Sequence, residues 1–123
     1  MPKIVEMDER VTIFTQTDED VGPVILINKF SVDPQESNQF LEAWAAEAGK
    51  FKEQPGFIST QLHRGIGGSG MFVNYAVWES AAQFKNAVNS VMDPKDRMSA
   101  YPPSTVASPH LFKKVAVPGI CVE

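Results

Sequence analysis

The sequence has few of the residues on which disulfide and metal sites depend. It contains one cysteine, Cys121, and two histidines, His63 and His110. A single thiol cannot form an internal disulfide, and neither histidine has a second histidine or a cysteine at ligand spacing. A metal site needs three or four converging donors, so we predict no metal site.

Basic clusters and long apolar runs are also missing. The formal net charge is -4 and the longest basic run is the pair Lys113-Lys114, so a surface that follows nucleic-acid phosphates is not predicted. No apolar run approaches the ~20 residues that span a bilayer, and the N-terminus lacks the pattern of a signal sequence. We therefore expect a cytoplasmic protein that binds neither nucleic acid nor membrane.

The sequence does contain clear strand patterns from residue 23 onwards. The run VILINKFSV (24–32) is rich in β-branched and aromatic residues, which predicts a mostly buried strand. Three further strands are predicted over FISTQLHRG (57–65), MFVNYAVW (71–78) and HLFKKVAV (110–117).

Two helices are predicted between these strands. The first begins after Asp33, which precedes Pro34 and stands three residues before Glu36, the spacing of a capping box. The second begins after Ser80, which stands three residues before Gln83. Apolar residues then recur at helical spacing in both segments.

The resulting order, β-α-β-β-α-β, is that of the ferredoxin-like α+β fold, a four-stranded antiparallel sheet with both helices on one face. We expect this domain to occupy residues 23–118. Residues 1–22 are interpreted as an extension with one extra strand over RVTIFTQ (10–16), and residues 119–123 as a tail. The second face of the sheet is left open, and because an uncovered apolar face favours self-association, we predict a homodimer.

The glycine-rich stretch from Gly65 to Gly70 matches the pattern G-x-G-x-x-G of dinucleotide sites. That site requires the glycines to join a strand to a helix whose N-terminus receives the pyrophosphate. Here the next element is another strand, so we interpret the stretch as a hairpin loop.

Two asparagines stand on strand faces that should be buried. Because alternate strand residues point the same way, Asn74 shares a face with Phe72 and Trp78, and Asn28 shares one with Phe30. Each amide satisfies a buried backbone group or lies at a sheet edge, or, if both face the helices, the two join aromatic rings in a pocket for a flat organic ligand. The residues that we predict to bind this ligand are Asn28, Phe30, Phe40, Trp44, Phe72 and Phe84.

Five segments together resemble the antibiotic biosynthesis monooxygenase family. They are INKFSVDP (27–34), QPGF (54–57), LHR (62–64), NYAVWES (74–80) and SPHLFKKVAV (108–117). The resemblance runs from Val24 to Val117, and NYAVWES is its most specific part. It implies the ferredoxin-like protomer of a dimeric α+β barrel.

The best understood members of this family use dioxygen, without a cofactor, to turn anthrone-type polyketides into quinones. Asn74 and Trp78 match their catalytic asparagine and tryptophan. Arg97, which we expect to bind substrate, matches their arginine beyond the second helix. The resemblance therefore implies a monooxygenase without metal, flavin or haem, acting on a small aromatic, polyketide or quinol-type substrate. In it the Asn74 amide and the Trp78 indole N–H donate to an oxyanion.

Two departures leave alternatives open. Similar oxygenases have a tyrosine six residues after the tryptophan, where this sequence has Phe84, so one alternative is a non-catalytic dimer that binds an aromatic small molecule. Haem-degrading relatives are a second alternative. Asn28 matches their asparagine, but their tryptophan falls on Ala87 and their histidine near Arg97, so haem degradation is less favoured.

Overall fold

The computed structural model describes residues 3–91 and 100–123 of the chain. In chain order its elements are β1 (Lys3–Ile4), α1 (Ile13–Gln16), β2 (Val24–Ser31), a 3₁₀ turn (Pro34–Glu36), α2 (Ser37–Phe51), β3 (Phe57–Arg64), β4 (Met71–Trp78), α3 (Ala81–Val91) and β5 (Val106–Phe112).

The strands form one sheet in the order β1-β5-β2-β4-β3. The pairs β2–β4, β2–β5 and β3–β4 are antiparallel, and β1 is parallel to β5. The four strands from β2 to β5, with α2 and α3, are the ferredoxin-like unit, so the predicted α+β fold is confirmed. The glycine-rich stretch is a hairpin loop between β3 and β4, as predicted.

Both predicted caps form, although Asp33 caps the 3₁₀ turn Pro34–Glu36, and α2 begins only at Ser37, without a side-chain cap of its own. Asp33 Oδ1 accepts a hydrogen bond from Gln35 N at 3.0 Å, and Ser80 Oγ accepts one from Gln83 N at 3.1 Å. The capping box at Asp33 is not closed by Glu36. Instead Ser104 Oγ accepts from Asp33 N at 3.0 Å and donates to the Glu36 carboxylate at 2.8 Å. A distant serine thus takes the place of the reciprocal hydrogen bond.

Two aromatic clusters fill the space between the sheet and the helices. In one, Phe40 is fully buried and stacks on Phe72 with ring centroids 4.6 Å apart. In the other, Trp78 is 2% exposed and makes edge-to-face contacts with three phenylalanine rings, at centroid distances of 5.5 to 6.2 Å. Such rings contribute most of the apolar area of a small core.

The N-terminal extension differs from the prediction. The segment 10–16 is not a strand, because Ile13–Gln16 is a helical turn and the extra strand is Lys3–Ile4. Thr12 caps the turn by accepting from Thr15 N. The Gln16 side chain bonds both the N–H and the C=O of Leu111, at 2.8 and 2.9 Å. A side-chain amide therefore forms hydrogen bonds with the edge of β5, where we expected the backbone of an additional strand.

The last strand also lies elsewhere than predicted. It covers Val106–Phe112 and not residues 110–117. Proline is tolerated in strands where no ladder N–H is needed, and Pro109 lies beyond the two residues of β5 that pair with β1. The prolines before and within β5 are therefore the reason that the sequence pattern placed the start of this strand too late. None of the helices in the described ranges 3–91 and 100–123 has the length and apolar character that a membrane span requires.

Gly22 provides a test of how the extension joins the domain. It passes the end of β4 so closely that a Cβ atom there would overlap the Glu79 carbonyl oxygen, while Val21 O accepts from Ala81 N at 2.8 Å. We expect Gly22→Ala to lower the free energy of unfolding by about 1–3 kcal/mol, the usual cost of overpacking, as measured by urea denaturation.

Gly49 is the matched control, because it lies within α2 and a Cβ atom there would meet nothing within 4 Å. Gly49→Ala should raise the free energy of unfolding by about 0.5–1 kcal/mol. Equal effects of the two substitutions would contradict the close approach at Gly22.

Candidate functional site

A cavity of about 210 Å³ lies between the sheet and its two long helices. Strands β2 and β4 form its floor, through residues that alternate along each strand and so face the helices. Helix α2 contributes one face, since Trp44, Ala48 and Phe51 recur at helical spacing. The walls are mainly apolar and aromatic with a few polar groups, which is the usual composition of a small-molecule site.

Most of the residues predicted from the sequence meet in this cavity. Those that line it are Asn28, Phe30, Trp44, Asn74, Trp78 and Phe84. Phe40 and Phe72 do not line the cavity. Phe40 instead packs against the lining residue Phe30, with ring centroids 5.0 Å apart. Arg97 lies outside the described residues.

Asn28 and Asn74 stand directly opposite each other on β2 and β4. Cβ atoms of such cross-strand partners are ~5 Å apart, so the two amides are neighbours in the cavity floor. Asn74 Oδ1 accepts a hydrogen bond from the Thr60 hydroxyl on β3 at 2.5 Å. With its oxygen held in this way, Asn74 presents its NH₂ group as the donor that remains for a ligand.

The Asn28 amide differs from that of Asn74 in its hydrogen bonding. Its Oδ1 is buried and has no hydrogen-bond partner among the described residues. A buried acceptor without a partner costs about 1–3 kcal/mol, and a hydroxyl group of a bound ligand would recover this cost. The floor therefore offers one donor and one unsatisfied acceptor side by side.

Trp78 is the last residue of β4, four positions after Asn74 and on the same face of the strand. Three phenylalanine rings, Phe51, Phe57 and Phe84, fix the orientation of its indole. Its Nε1–H forms no hydrogen bond with any residue in the ranges 3–91 and 100–123. The indole is thus a rigid wall of the cavity with an N–H available to a ligand.

Sequence reasoning missed the charged residues of the cavity. Glu47 and Lys85 both line it, and the Tyr101 hydroxyl donates to Glu47 Oε1 at 3.2 Å. A signal for Glu47 was present, because it stands three residues after Trp44 and four before Phe51 on the cavity face of α2. Burial first, and the negative charge of Glu47 second, raise the pKa of Tyr101 well above its ordinary value.

Among the residues that the structure describes, the cavity lining does not include the donors that haem requires. Axial haem ligands in proteins are histidine, cysteine, methionine or tyrosine, and none of the described lining residues is of these types. His63 and His110 pair with Val73 and Ile27, positions on the sheet face that points away from the helices. Ala87, at the position of the tryptophan in haem degraders, is buried in the core. No step through haem is derived for this site.

The chain resembles known proteins both in sequence and in fold. The sequence profile of the antibiotic biosynthesis monooxygenase family matches residues 23–93, more than half of the chain. The chain belongs to this family. No match was found among curated protein sequences.

Several solved structures resemble this family member. A candidate monooxygenase from Shewanella loihica PV-4 is 28% identical, with a TM-score of 0.66 over 78% of this chain and 97% of its own. A variant of SnoaB, a cofactor-independent oxygenase from Streptomyces nogalater, is 25% identical, with a TM-score of 0.63 over 80% and 99%. The haem degrader MhuD from Mycobacterium tuberculosis is 27% identical, with a TM-score of 0.57 over 79% and 100%.

The Glu47–Tyr101 contact predicts how stability depends on pH. Tyr101 of the unfolded chain loses its proton above about pH 10, whereas the folded protein retains it. Stability is therefore complete below pH 10 and falls above it, by about 1.4 kcal/mol per pH unit. Urea denaturation between pH 9 and 11 should show a flatter decline for Tyr101→Phe than for the wild type. Parallel declines would show that Tyr101 ionises normally in the folded state.

Proposed function

We propose that this chain is a cofactor-independent monooxygenase that uses dioxygen to oxidise a small aromatic, polyketide or quinol-type substrate. The observation that carries the proposal is the cavity floor, where the Asn74 donor and the Asn28 acceptor lie side by side among aromatic rings. Membership of the antibiotic biosynthesis monooxygenase family supports the same reaction class.

In this reaction the protein has only to bind the substrate and stabilise its negative charge. An electron-rich enolate or phenolate transfers one electron to dioxygen, and the resulting radical pair combines to form a C–O bond. The hydroperoxide then loses water, so that one oxygen atom remains in a new carbonyl group and the other leaves in water. The substrate loses two hydrogen atoms and gains one oxygen atom, so its four-electron oxidation supplies all the electrons that reduce dioxygen to the carbonyl oxygen and water.

The ionised substrate needs neutral donors in a site with little water. The Asn74 NH₂ group, held in orientation by Thr60, and the Trp78 indole N–H provide two. We assign Asn74 and Trp78 as the catalytic donors, so the substrate oxygen is oriented towards the floor of the cavity.

Trp78 provides the first test. Trp78→Phe keeps an aromatic ring but removes the N–H, and we expect kcat for oxygen uptake with naphthols or quinols to fall 100- to 1000-fold. Trp44→Phe makes the same change in another wall of the cavity and should raise KM more than it lowers kcat. Oxygen electrode measurements that give Trp78→Phe an undiminished kcat would exclude the indole as a donor.

A non-catalytic binding protein is the second candidate, and Phe84 is the observation that favours it. Its ring lines the cavity where related oxygenases carry a phenol, and it has no proton to exchange with a substrate. The same oxygen uptake assay separates the two functions, because a binding protein bound to its ligand would consume no oxygen above the buffer rate.

We also propose that two copies associate through the open sheet face. This face carries the half-buried side chains of Ile27 and Val73, together with the exposed Tyr75. In the tail, Val115, Ile120 and Val122 are exposed as well, which suits a segment that reaches a partner.

Light scattering tests this association. The wild type should have twice the chain mass of 13.5 kDa. Tyr75→Arg places a charge on the open face and should shift the protein towards monomer, whereas Ile66→Arg, in the exposed hairpin loop, should not. A wild-type mass of 13.5 kDa would refute the dimer.

A further inference from the structure

The N-terminal extension forms part of the cavity wall, although it lies outside the residues that match the family profile. That match begins at residue 23, and the similar structures cover about four fifths of this chain while covering nearly all of their own length. The extension contributes four lining residues, Ile4, Ile13, Phe14 and Thr17. This wall therefore belongs to this chain and not to the matched family domain.

The extension is anchored at the end of its helical turn and again beyond it. The amide of Gln16, the last residue of the turn, makes two hydrogen bonds to the Leu111 backbone on β5. Further along the chain, Val21 O accepts from Ala81 N at the start of α3. Between these points Asp18 pairs with Lys85 of α3 at 3.2 Å. These contacts hold the turn in place beside the cavity.

Phe14 is placed differently from its neighbour in this turn. Ile13 is buried in the core against Trp78 and Leu111, whereas Phe14 lines the cavity and yet is 72% exposed. An aromatic ring that remains open to water at a cavity wall has most of its surface available to whatever enters. Its truncation would remove little from the core.

The cavity is partly open to solvent, so its volume limits how much of a ring system it encloses. An apolar protein cavity of about 150 Å³ holds one benzene ring, and this cavity measures about 210 Å³, roughly 1.4 times as much. The enclosed space fits two fused rings, and a third would extend into the wall that Phe14 forms.

We propose that Phe14 is a specificity-determining residue that restricts the bound ring system to one or two fused rings. This inference rests on the proposed function only in taking the ligand to be aromatic. It does not depend on oxygen chemistry, so binding measured without oxygen tests it alone.

The experiment compares 1-naphthol with 1-anthrol, which carries the same hydroxyl group and one more fused ring. Titration calorimetry is done anaerobically on the full chain. We expect the wild type to bind 1-naphthol at least tenfold more tightly than 1-anthrol. Phe14→Ala should reduce this ratio at least tenfold, and Phe14→Leu, which keeps part of the apolar bulk, should give an intermediate ratio.

Ile66→Ala is the matched control, because Ile66 is an apolar residue that is 94% exposed and lies in the hairpin loop away from the cavity. Its ratio should equal that of the wild type, and thermal unfolding should show that all variants are folded. An unchanged ratio in Phe14→Ala, a wild type that prefers 1-anthrol, or a wild type that binds neither compound would overturn the proposal. Binding with the expected ratios but no oxygen uptake would refute the oxygenase function and leave the role of Phe14 intact.

Discussion

The pairing of β2 with β4 places Asn28 opposite Asn74, and this register determines which side of the sheet each cavity residue occupies. Because strand side chains alternate, a slip of one residue would move the whole helix-facing set to the other face. Such a slip would expose Trp78 and leave the helices to pack on the opposite face. The buried rings on both sides of the asparagine pair, Phe30 and Phe72 at one end and Trp78 at the other, oppose that slip. The hydrophobic core thus positions the two amides that it would otherwise exclude.

The same arrangement explains how polar groups persist in an aromatic cavity. Thr60, on the neighbouring strand, satisfies the oxygen of Asn74 and leaves its nitrogen for a ligand. No described residue does the same for the oxygen of Asn28. This unsatisfied oxygen costs the protein about 1–3 kcal/mol, the usual cost of a buried acceptor without a partner.

Much of the fold could be predicted from the sequence because its signals are local. Strand alternation around Asn74 and the caps at Asp33 and Ser80 depend on residues within a few positions of each other. The predictions were wrong where a residue distant in the sequence determines the local structure. Nothing near Gln16 indicates that its side chain will bond the backbone of Leu111 on β5, and without that contact a run such as VTIF suggests a strand.

The residues that line the cavity could be predicted from the sequence about as well as the fold. The aromatic and amide residues among them follow from the periods of β2, β4 and α2. Phe14 had no such signal, because its place depends on the same tertiary contact as Gln16. Glu47 was overlooked although it shares the helical period of Trp44, since a charged residue is not expected among aromatic rings unless its partner, here the hydroxyl of Tyr101, is known.

The hydrogen bonds of Gln16 have a consequence for solubility. Beyond the two residues that β1 covers, β5 would present free N–H and C=O groups at the margin of the sheet, and such margins are templates for edge-to-edge aggregation. The Gln16 amide occupies both groups of Leu111 without offering a new strand in turn. The turn that carries Phe14 therefore also ends the sheet, and its release would open the cavity and uncover an aggregation-prone edge in one event.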